Sequence, residues 1–258
     1  MALGKTNIIP VLLALTSKFT LLHYKTSLNS RVILPYKRII SQRCYTKKQM
    51  FGNLTGLEIV YFIIALLISM IIHEVMHGVT AKALGDPTAA EMGRLTLNPL
   101  KHIDVMTTIL LPVVLVIAHL PPIMAAKPVP FNPERVKFGD YGAALVGLAG
   151  PLTNFLLAII GSILAHIFIN GNIQLITFLG FFIQINVILM VFNLIPFPPL
   201  DGSRVLYAFA PEPVREVMAK IESMGFLVVL LLILVVFQFI SPAIVGIENA
   251  IYNFVLTI

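Results

Sequence analysis

The chain has 258 residues, of which 58% are hydrophobic and only 12% are charged. A soluble domain carries about 25% charged residues, so the composition excludes an ordinary soluble globular protein. The formal net charge is +6, but residues 1–57 hold nine Lys and Arg with no acid, whereas residues 58–258 hold nine against twelve acids. The basic charge therefore belongs to an N-terminal extension, and the body is not expected to bind nucleic acid.

Residues 1–49 form that extension, which is basic, rich in hydroxyl side chains and free of acids. Its apolar stretches are too short to span a bilayer. The composition is typical of a transit peptide, and Arg43–Thr46 suits a processing site. The alternatives are an upstream start codon or an expression leader, with Met50 as the true beginning. Cys44 is the single cysteine of the chain, which excludes an internal disulfide and a cysteine-based metal site.

Residues 50–258 are predicted to form an all-α polytopic membrane domain, a bundle of about four to six transmembrane helices. Its core is predicted at 57–206 and its C-terminal hydrophobic helices at 225–258. The long apolar segments that predict spans are, in chain order, Leu57–Leu84, Tyr141–Ile169, Ile173–Leu194 and Gly225–Ile240. Prolines interrupt Val105–Ala126, which either crosses or re-enters the membrane. A last apolar piece, Ala243–Ile258, is expected to pair with the preceding span.

Three polar or proline-rich segments separate these spans. Thr88–Asp104 alternates around Arg94–Leu97, which predicts a short β-hairpin-like element at the membrane edge after the first core helix. An ordinary polar loop is the alternative. Ile195–Gly202 (IPFPPLDG) contains three prolines, which exclude a regular helix. Arg204–Ser223 is predicted to be an amphipathic surface stretch.

The first predicted span contains the sequence His73-Glu74-Val75-Met76-His77. Residues four apart share one face of a helix, so His73 and His77 can bind one zinc ion while Glu74 addresses the water on that ion. Ionisable side chains at membrane depth are costly and normally mark a function. The alternative is that the three side chains hydrogen-bond neighbouring helices.

A catalytic zinc ion generally takes three protein ligands and keeps one position for water. Position 83, where a metzincin would have its third histidine, is Ala83, and Glu91 lies in a loop shortly after His77. Asp201 is the better candidate, because it follows an apolar run where prolines free the backbone to line a cavity. The alternative role for Asp201 is to cap the helix that starts near Ser203.

Four pieces of sequence resemble the site-2 protease family of intramembrane zinc metalloproteases, and in particular its small bacterial-type members without a PDZ domain. They occur in the family's order and are His73–His77, Gly93–Pro99 (GRLTLNP), Gly150–Asn154 (GPLTN) and Asn193–Gly202. The resemblance implies that His73, His77 and Asp201 ligate one zinc ion and that Glu74 is the general base and acid. It also implies that the loop before the second core helix binds substrate as an added strand.

The remaining polar residues have weaker assignments. The side-chain amides of Asn154 and Asn193 are candidate donors to the developing oxyanion or to substrate, and hydrogen bonding between helices is the equal alternative. His102, His119 and His166 lack partners at ligand spacing and are expected at surfaces or interfaces.

These features predict an enzyme that hydrolyses peptide bonds within or next to transmembrane segments of single-span membrane proteins. The alternatives are a transporter that uses the same His, Glu and Asp cluster as a metal or proton relay, and an inactive scaffold. The expected location is a bacterial cell membrane, or an organelle membrane if the extension is a transit peptide. A homo-oligomer or a regulatory membrane partner is left open.

Overall fold

A computed structural model of the chain describes residues 55–111, 113–114, 126–168 and 171–225, together with the isolated positions 228, 246, 250, 251, 254 and 255. The N-terminal extension, most of Val105–Ala126 and most of the two predicted C-terminal spans lie outside these residues. The domain boundaries proposed above therefore stay predictions.

Every regular element in the described ranges is helical. In chain order the α-helices are α1 (Gly56–Ala83), α2 (Thr88–Glu91), α3 (Gly139–Ile167), α4 (Ile173–Asn193), α5 (Gly202–Phe209) and α6 (Glu212–Ser223). A 3-10 turn at Pro99–His102 and a π-helical turn at Val105–Leu110 follow α2. The predicted amphipathic stretch corresponds to α5 and α6.

Helices α1, α3 and α4 are long and apolar enough to cross a membrane. Their observed bounds lie within two residues of the predicted spans, so the prediction of a helical membrane protein is confirmed. Local signals explain where they begin. Thr55 and Glu58 form a capping box at the start of α1, and the Asn172 side chain accepts the Gln174 N–H at the start of α4.

Helix α4 packs against both other long helices. Between α3 and α4 lies an apolar cluster that includes Ala158, Ala165, Ile183 and Val187, all completely buried. Between α1 and α4 the contacts are aromatic: the ring centroids of Tyr61 and Phe178 are 6.2 Å apart, and those of Phe62 and Phe181 are 6.3 Å apart. Small residues at the first contact and edge-to-face rings at the second hold the three helices in one bundle.

The outward faces of these helices are apolar. On α1 and α3, large hydrophobic side chains with at least 43% of their surface exposed include Leu57, Ile59, Val60, Ile63, Ile64, Leu152, Leu156 and Ile160. Such a belt is unfavourable in water and is what a lipid-facing surface requires.

The predicted β-hairpin is not present, because the described residues contain no strand and Arg94–Leu97 is irregular. The backbone N–H groups that would have formed a ladder are used locally: Arg94 N–H donates to Ala89 O at 2.8 Å and Thr96 N–H to Arg94 O at 3.0 Å. The Arg94 side chain instead donates to the carbonyls of Lys127 and Pro128. The polar-loop alternative is therefore the correct one for this stretch.

The chain from α4 to α5 is a series of turns, with a cis peptide bond between Pro198 and Pro199. As predicted, this segment is not a regular helix. It carries Asp201 to the start of α5. Two ion pairs hold α5 and α6 in place: Arg204 of α5 pairs with Glu222 of α6, and Arg215 of α6 pairs with Asp140 of α3.

Candidate metal centre

His73 and His77 lie one turn apart on α1, and both are buried. Each ring hydrogen-bonds through Nδ1 to an oxygen on α3: His73 to Asn154 Oδ1 at 2.5 Å, and His77 to the Val146 carbonyl at 2.7 Å. Since these oxygens accept, each Nδ1 carries the proton, and a neutral ring then presents the lone pair of Nε2. The two Nε2 atoms are 3.1 Å apart.

Asp201 reaches the same point from the turn before α5. Its Oδ2 lies 3.1 Å from His73 Nε2 and 3.3 Å from His77 Nε2. Although Asp201 occupies the position that precedes α5, its side chain makes no capping hydrogen bond. The structure therefore brings together the three residues predicted as ligands, and it does not support the capping alternative. The Asp201 side chain keeps 22% of its surface exposed, although its Oδ2 is buried.

Two glycines of α3 make this convergence possible. A Cβ atom on Gly150 would lie 2.5 Å from both His73 Cε1 and His77 Nε2, and one on Gly147 would lie 2.9 Å from the Asp201 carbonyl oxygen. Residues three apart share a helix face, so one side of α3 approaches both the histidines and the aspartate. Any larger residue at position 150 would fill the space between the rings.

The chemistry of the donor set fits a metal cation. The triangle consists of two imidazole lone pairs and one carboxylate oxygen, which repel each other, and Asp201 Oδ2 is buried without a hydrogen-bond partner. Tetrahedral zinc with bonds of about 2.1 Å would place neighbouring ligand atoms about 3.4 Å apart, close to the observed separations. The histidines also carry the outer hydrogen bonds that metal ligands usually make through the other ring nitrogen.

Glu74 follows His73 and is half-buried. One carboxylate oxygen, Oε2, accepts a hydrogen bond of 2.9 Å from the Val129 backbone N–H. The segment around Val129 is itself anchored, because the Lys127 N–H donates to the His102 carbonyl at 2.7 Å and Arg94 holds the neighbouring carbonyls. This arrangement fixes one oxygen of the Glu74 carboxylate.

The remaining predicted residues lie in different surroundings. Asn154 is completely buried and its Nδ2 donates to Asn186, which is the contact expected for hydrogen bonding between helices. Asn193 donates to Leu189 O of its own helix. Glu91 is exposed and pairs with Arg135, away from the histidines. His102 is buried and bonds Thr96 O, so of the two expected positions, a surface or an interface, the surface is excluded.

His166 is exposed near the end of α3, as expected, and His119 lies outside the described residues.

Several site contacts had no sequence signal. The carbonyl of Val146 is a backbone group that any residue provides, and the N–H of Val129 is one that any residue other than proline provides. Gly150 stands in a motif quoted above, but only its distance to the two rings shows what it does.

The helical fold and this centre together define a membrane metallopeptidase. A model of peptidase family M50 matches residues 167–236. YwhC of Bacillus subtilis (strain 168) is 38% identical over 180 residues, which cover 67% of this chain and 79% of that protein. The chain belongs to peptidase family M50.

Two further relatives match a smaller share of their own length. Rip2 of Mycolicibacterium smegmatis is 32% identical over 177 residues, 65% of this chain and 64% of that protein. A protein of Methanocaldococcus jannaschii is 47% identical over 62 residues, 24% of this chain and 31% of that protein. All three relatives carry the name "putative zinc metalloprotease". No solved structure gives a significant match to the chain.

Proposed function

We propose that this protein is a zinc-dependent endopeptidase that hydrolyses peptide bonds within or next to the membrane-spanning segments of other proteins. The observation that supports this most directly is the triangle of His73 Nε2, His77 Nε2 and Asp201 Oδ2, buried between apolar helices and followed in sequence by Glu74. The zinc named for the relatives matches the nitrogen and oxygen donors of this triangle.

Zinc bound by His73, His77 and Asp201 would supply Lewis acidity, which lowers the pKa of a bound water to about 7 and polarises a peptide carbonyl. Glu74 takes the proton from the attacking water and delivers it to the leaving amine. Its hydrogen bond from Val129 holds the carboxylate in one orientation for both transfers. Part of the Asp201 side chain is exposed, and we propose that water enters the site on this side.

The substrates we propose are single-span membrane proteins embedded in the same bilayer as the enzyme. Backbone groups of an intact transmembrane helix are satisfied within the helix, so a substrate must unwind locally before its peptide bond can reach the centre. We further propose that the complete bundle has about four to six crossings, with 225–258 and a crossing or re-entrant Val105–Ala126 added to α1, α3 and α4. The proposed location is a bacterial cell membrane.

The decisive experiment is to compare the wild type with Glu74→Gln, each co-expressed with a set of single-span membrane proteins. We expect zinc to remain at one ion per chain by elemental analysis of the purified protein, because Glu74 is not a ligand. Cleavage should fall by about 10²- to 10⁴-fold, because the amide cannot accept the proton.

Glu91→Gln is the matched control, since Glu91 is an exposed acid that follows α1 and pairs only with Arg135 among the described residues. It should leave both zinc content and cleavage at wild-type levels. Unchanged cleavage in Glu74→Gln, with zinc still bound, would overturn the proposed function.

A further inference from the structure

Three buried polar side chains extend from His73 into the helix bundle. Asn154 Nδ2 of α3 donates to Asn186 Oδ1 of α4 at 2.8 Å, and Asn186 Nδ2 donates to Ser69 Oγ of α1 at 2.8 Å. All three side chains have no exposed surface. A hydrogen-bonded row therefore starts at the His73 ring, crosses α3 and α4, and returns to α1 one turn before His73.

A backbone carbonyl sets the direction of every bond in this row. Asn186 Nδ2 also donates to the Phe182 carbonyl at 2.8 Å, and a carbonyl can only accept. The amide nitrogen of Asn186 must therefore face Phe182, which leaves its oxygen to accept from Asn154. The Asn154 oxygen in turn faces His73 Nδ1, which can only donate to it.

The consequence for His73 concerns which ring nitrogen carries the proton. If Asn154 turned its amide over, its nitrogen would face Nδ1, and the His73 proton would move to Nε2. An Nε2–H group points at Asp201 and His77 and cannot bind a cation. The Asn154 amide alone has no preference between its two orientations, because its oxygen and nitrogen occupy nearly the same space.

We infer that Asn186 is a positioning residue that acts through Asn154 to hold the His73 proton on Nδ1 and so keep Nε2 free for the metal. The inference rests on the proposed zinc site. It assigns a role to a side chain that does not touch the metal centre, and it explains why α4 has a buried amide within its apolar face at this position.

The test uses Asn186→Leu, which keeps the branched shape of the side chain and removes the acceptor for Asn154. Zinc affinity, measured by chelator competition on the purified protein, should fall by about 10- to 100-fold, as for loss of other outer partners of metal ligands. The metal-free protein gives an independent readout. Its histidine ¹⁵N spectrum should show His73 protonated only at Nδ1 in the wild type and as a mixture of both tautomers in Asn186→Leu.

Two controls separate this role from general packing. Gln184→Leu removes another buried amide from the same helix, two residues away and so on a different face, and should leave the His73 spectrum and zinc affinity unchanged. Ser69→Ala should have a smaller effect than Asn186→Leu, because the Phe182 carbonyl still orients the Asn186 amide.

Asn154→Asp provides a rescue, because a carboxylate accepts from His73 Nδ1 without needing an orienting partner. In that background, Asn186→Leu should no longer lower zinc affinity. A His73 ring that stays protonated at Nδ1 in Asn186→Leu, or an equal affinity loss with and without Asn154→Asp, would overturn the inference. Failure of the wild type to bind zinc at all would instead overturn the proposed function.

Discussion

The loop after α1 and the turn before α5 each hold an aspartate with a buried carboxylate oxygen, and the two carboxylates have opposite surroundings. Asp86 has no exposed surface, yet it accepts from the Thr88 N–H and hydroxyl at Oδ1 and from the Asn132 N–H at Oδ2. Asp201 faces two ring nitrogens, and its Oδ2 has no hydrogen-bond partner. Burial of an acid in an apolar protein therefore does not identify a metal site, whereas a shortage of donors around it does.

This difference predicts that the two aspartates respond to substitution in opposite ways. Asp201→Ala should abolish cleavage, because a metal ligand is lost. It should lower zinc affinity by more than the loss of a residue that only hydrogen-bonds a ligand, which costs about 10- to 100-fold. The metal-free protein should unfold no more easily than the wild type, because an unpartnered oxygen has been removed. Zinc titration and thermal unfolding in detergent measure the two effects. Zinc binding that survives in Asp201→Ala would remove Asp201 from the ligand set.

The space between the two histidines offers a second test of the metal centre. Gly150→Ala should reduce zinc binding and cleavage strongly, because the added methyl group would lie 2.5 Å from His73 Cε1 and from His77 Nε2. Gly161→Ala is the control on the same helix. Its methyl group would meet Ile183 Cγ1 at 3.0 Å, a side-chain contact three turns further along α3, and zinc content should stay at the wild-type level. Full zinc occupancy in Gly150→Ala would contradict the arrangement described here.

Substitution of Asp86, whose carboxylate has its hydrogen-bond donors, should affect stability alone. Asp86→Ala leaves the Asn132 N–H and the Thr88 groups without their acceptor, which should lower the free energy of unfolding by about 1–3 kcal/mol. Zinc content should remain at one ion per chain, because none of these groups contacts the histidines. Chemical unfolding followed by circular dichroism, with elemental analysis on the same sample, checks both statements. A loss of zinc without a loss of stability would contradict the structural role of Asp86.

The smallest expected effect is a dependence on pH. Burial raises the pKa of Asp86, but the hydrogen bonds from the Thr88 hydroxyl, the Asn132 N–H and the Thr88 N–H lower it more, so the net pKa lies below its usual value of 3.8. A lowered folded-state pKa contributes stability that is present above 3.8 and is lost as the pH falls toward the folded-state value. The stability difference between wild type and Asp86→Asn should therefore shrink as the pH is lowered through this range. A difference that grows would contradict the sign.

Sequence patterns predicted the three long helices because each has enough consecutive apolar residues to cross a bilayer. The bounds of α1 and α4 were close for a local reason, since Thr55 and Asn172 cap their first turns. The β-hairpin prediction failed because alternation around Arg94–Leu97 carries no information on whether a partner strand exists, and here the N–H groups bond within their own loop.

The pair of histidines and Glu74 could be found from the sequence because the helical repeat alone places residues four apart on one face. Asp201 occurs more than a hundred residues later. Its proximity in space to the two histidines could be expected only from the scarcity of acids in apolar surroundings and from a family resemblance. The property that distinguishes the candidate metal site is the balance of hydrogen-bond donors and acceptors around its buried polar side chains. This balance depends on neighbouring residues from α3, α4 and two loops. Only the tertiary structure could show that Asp86 is satisfied by Thr88 of its own loop and by the distant Asn132 N–H, while Asp201 faces two lone pairs. Hydrogen-bond partners distant in sequence are set by packing.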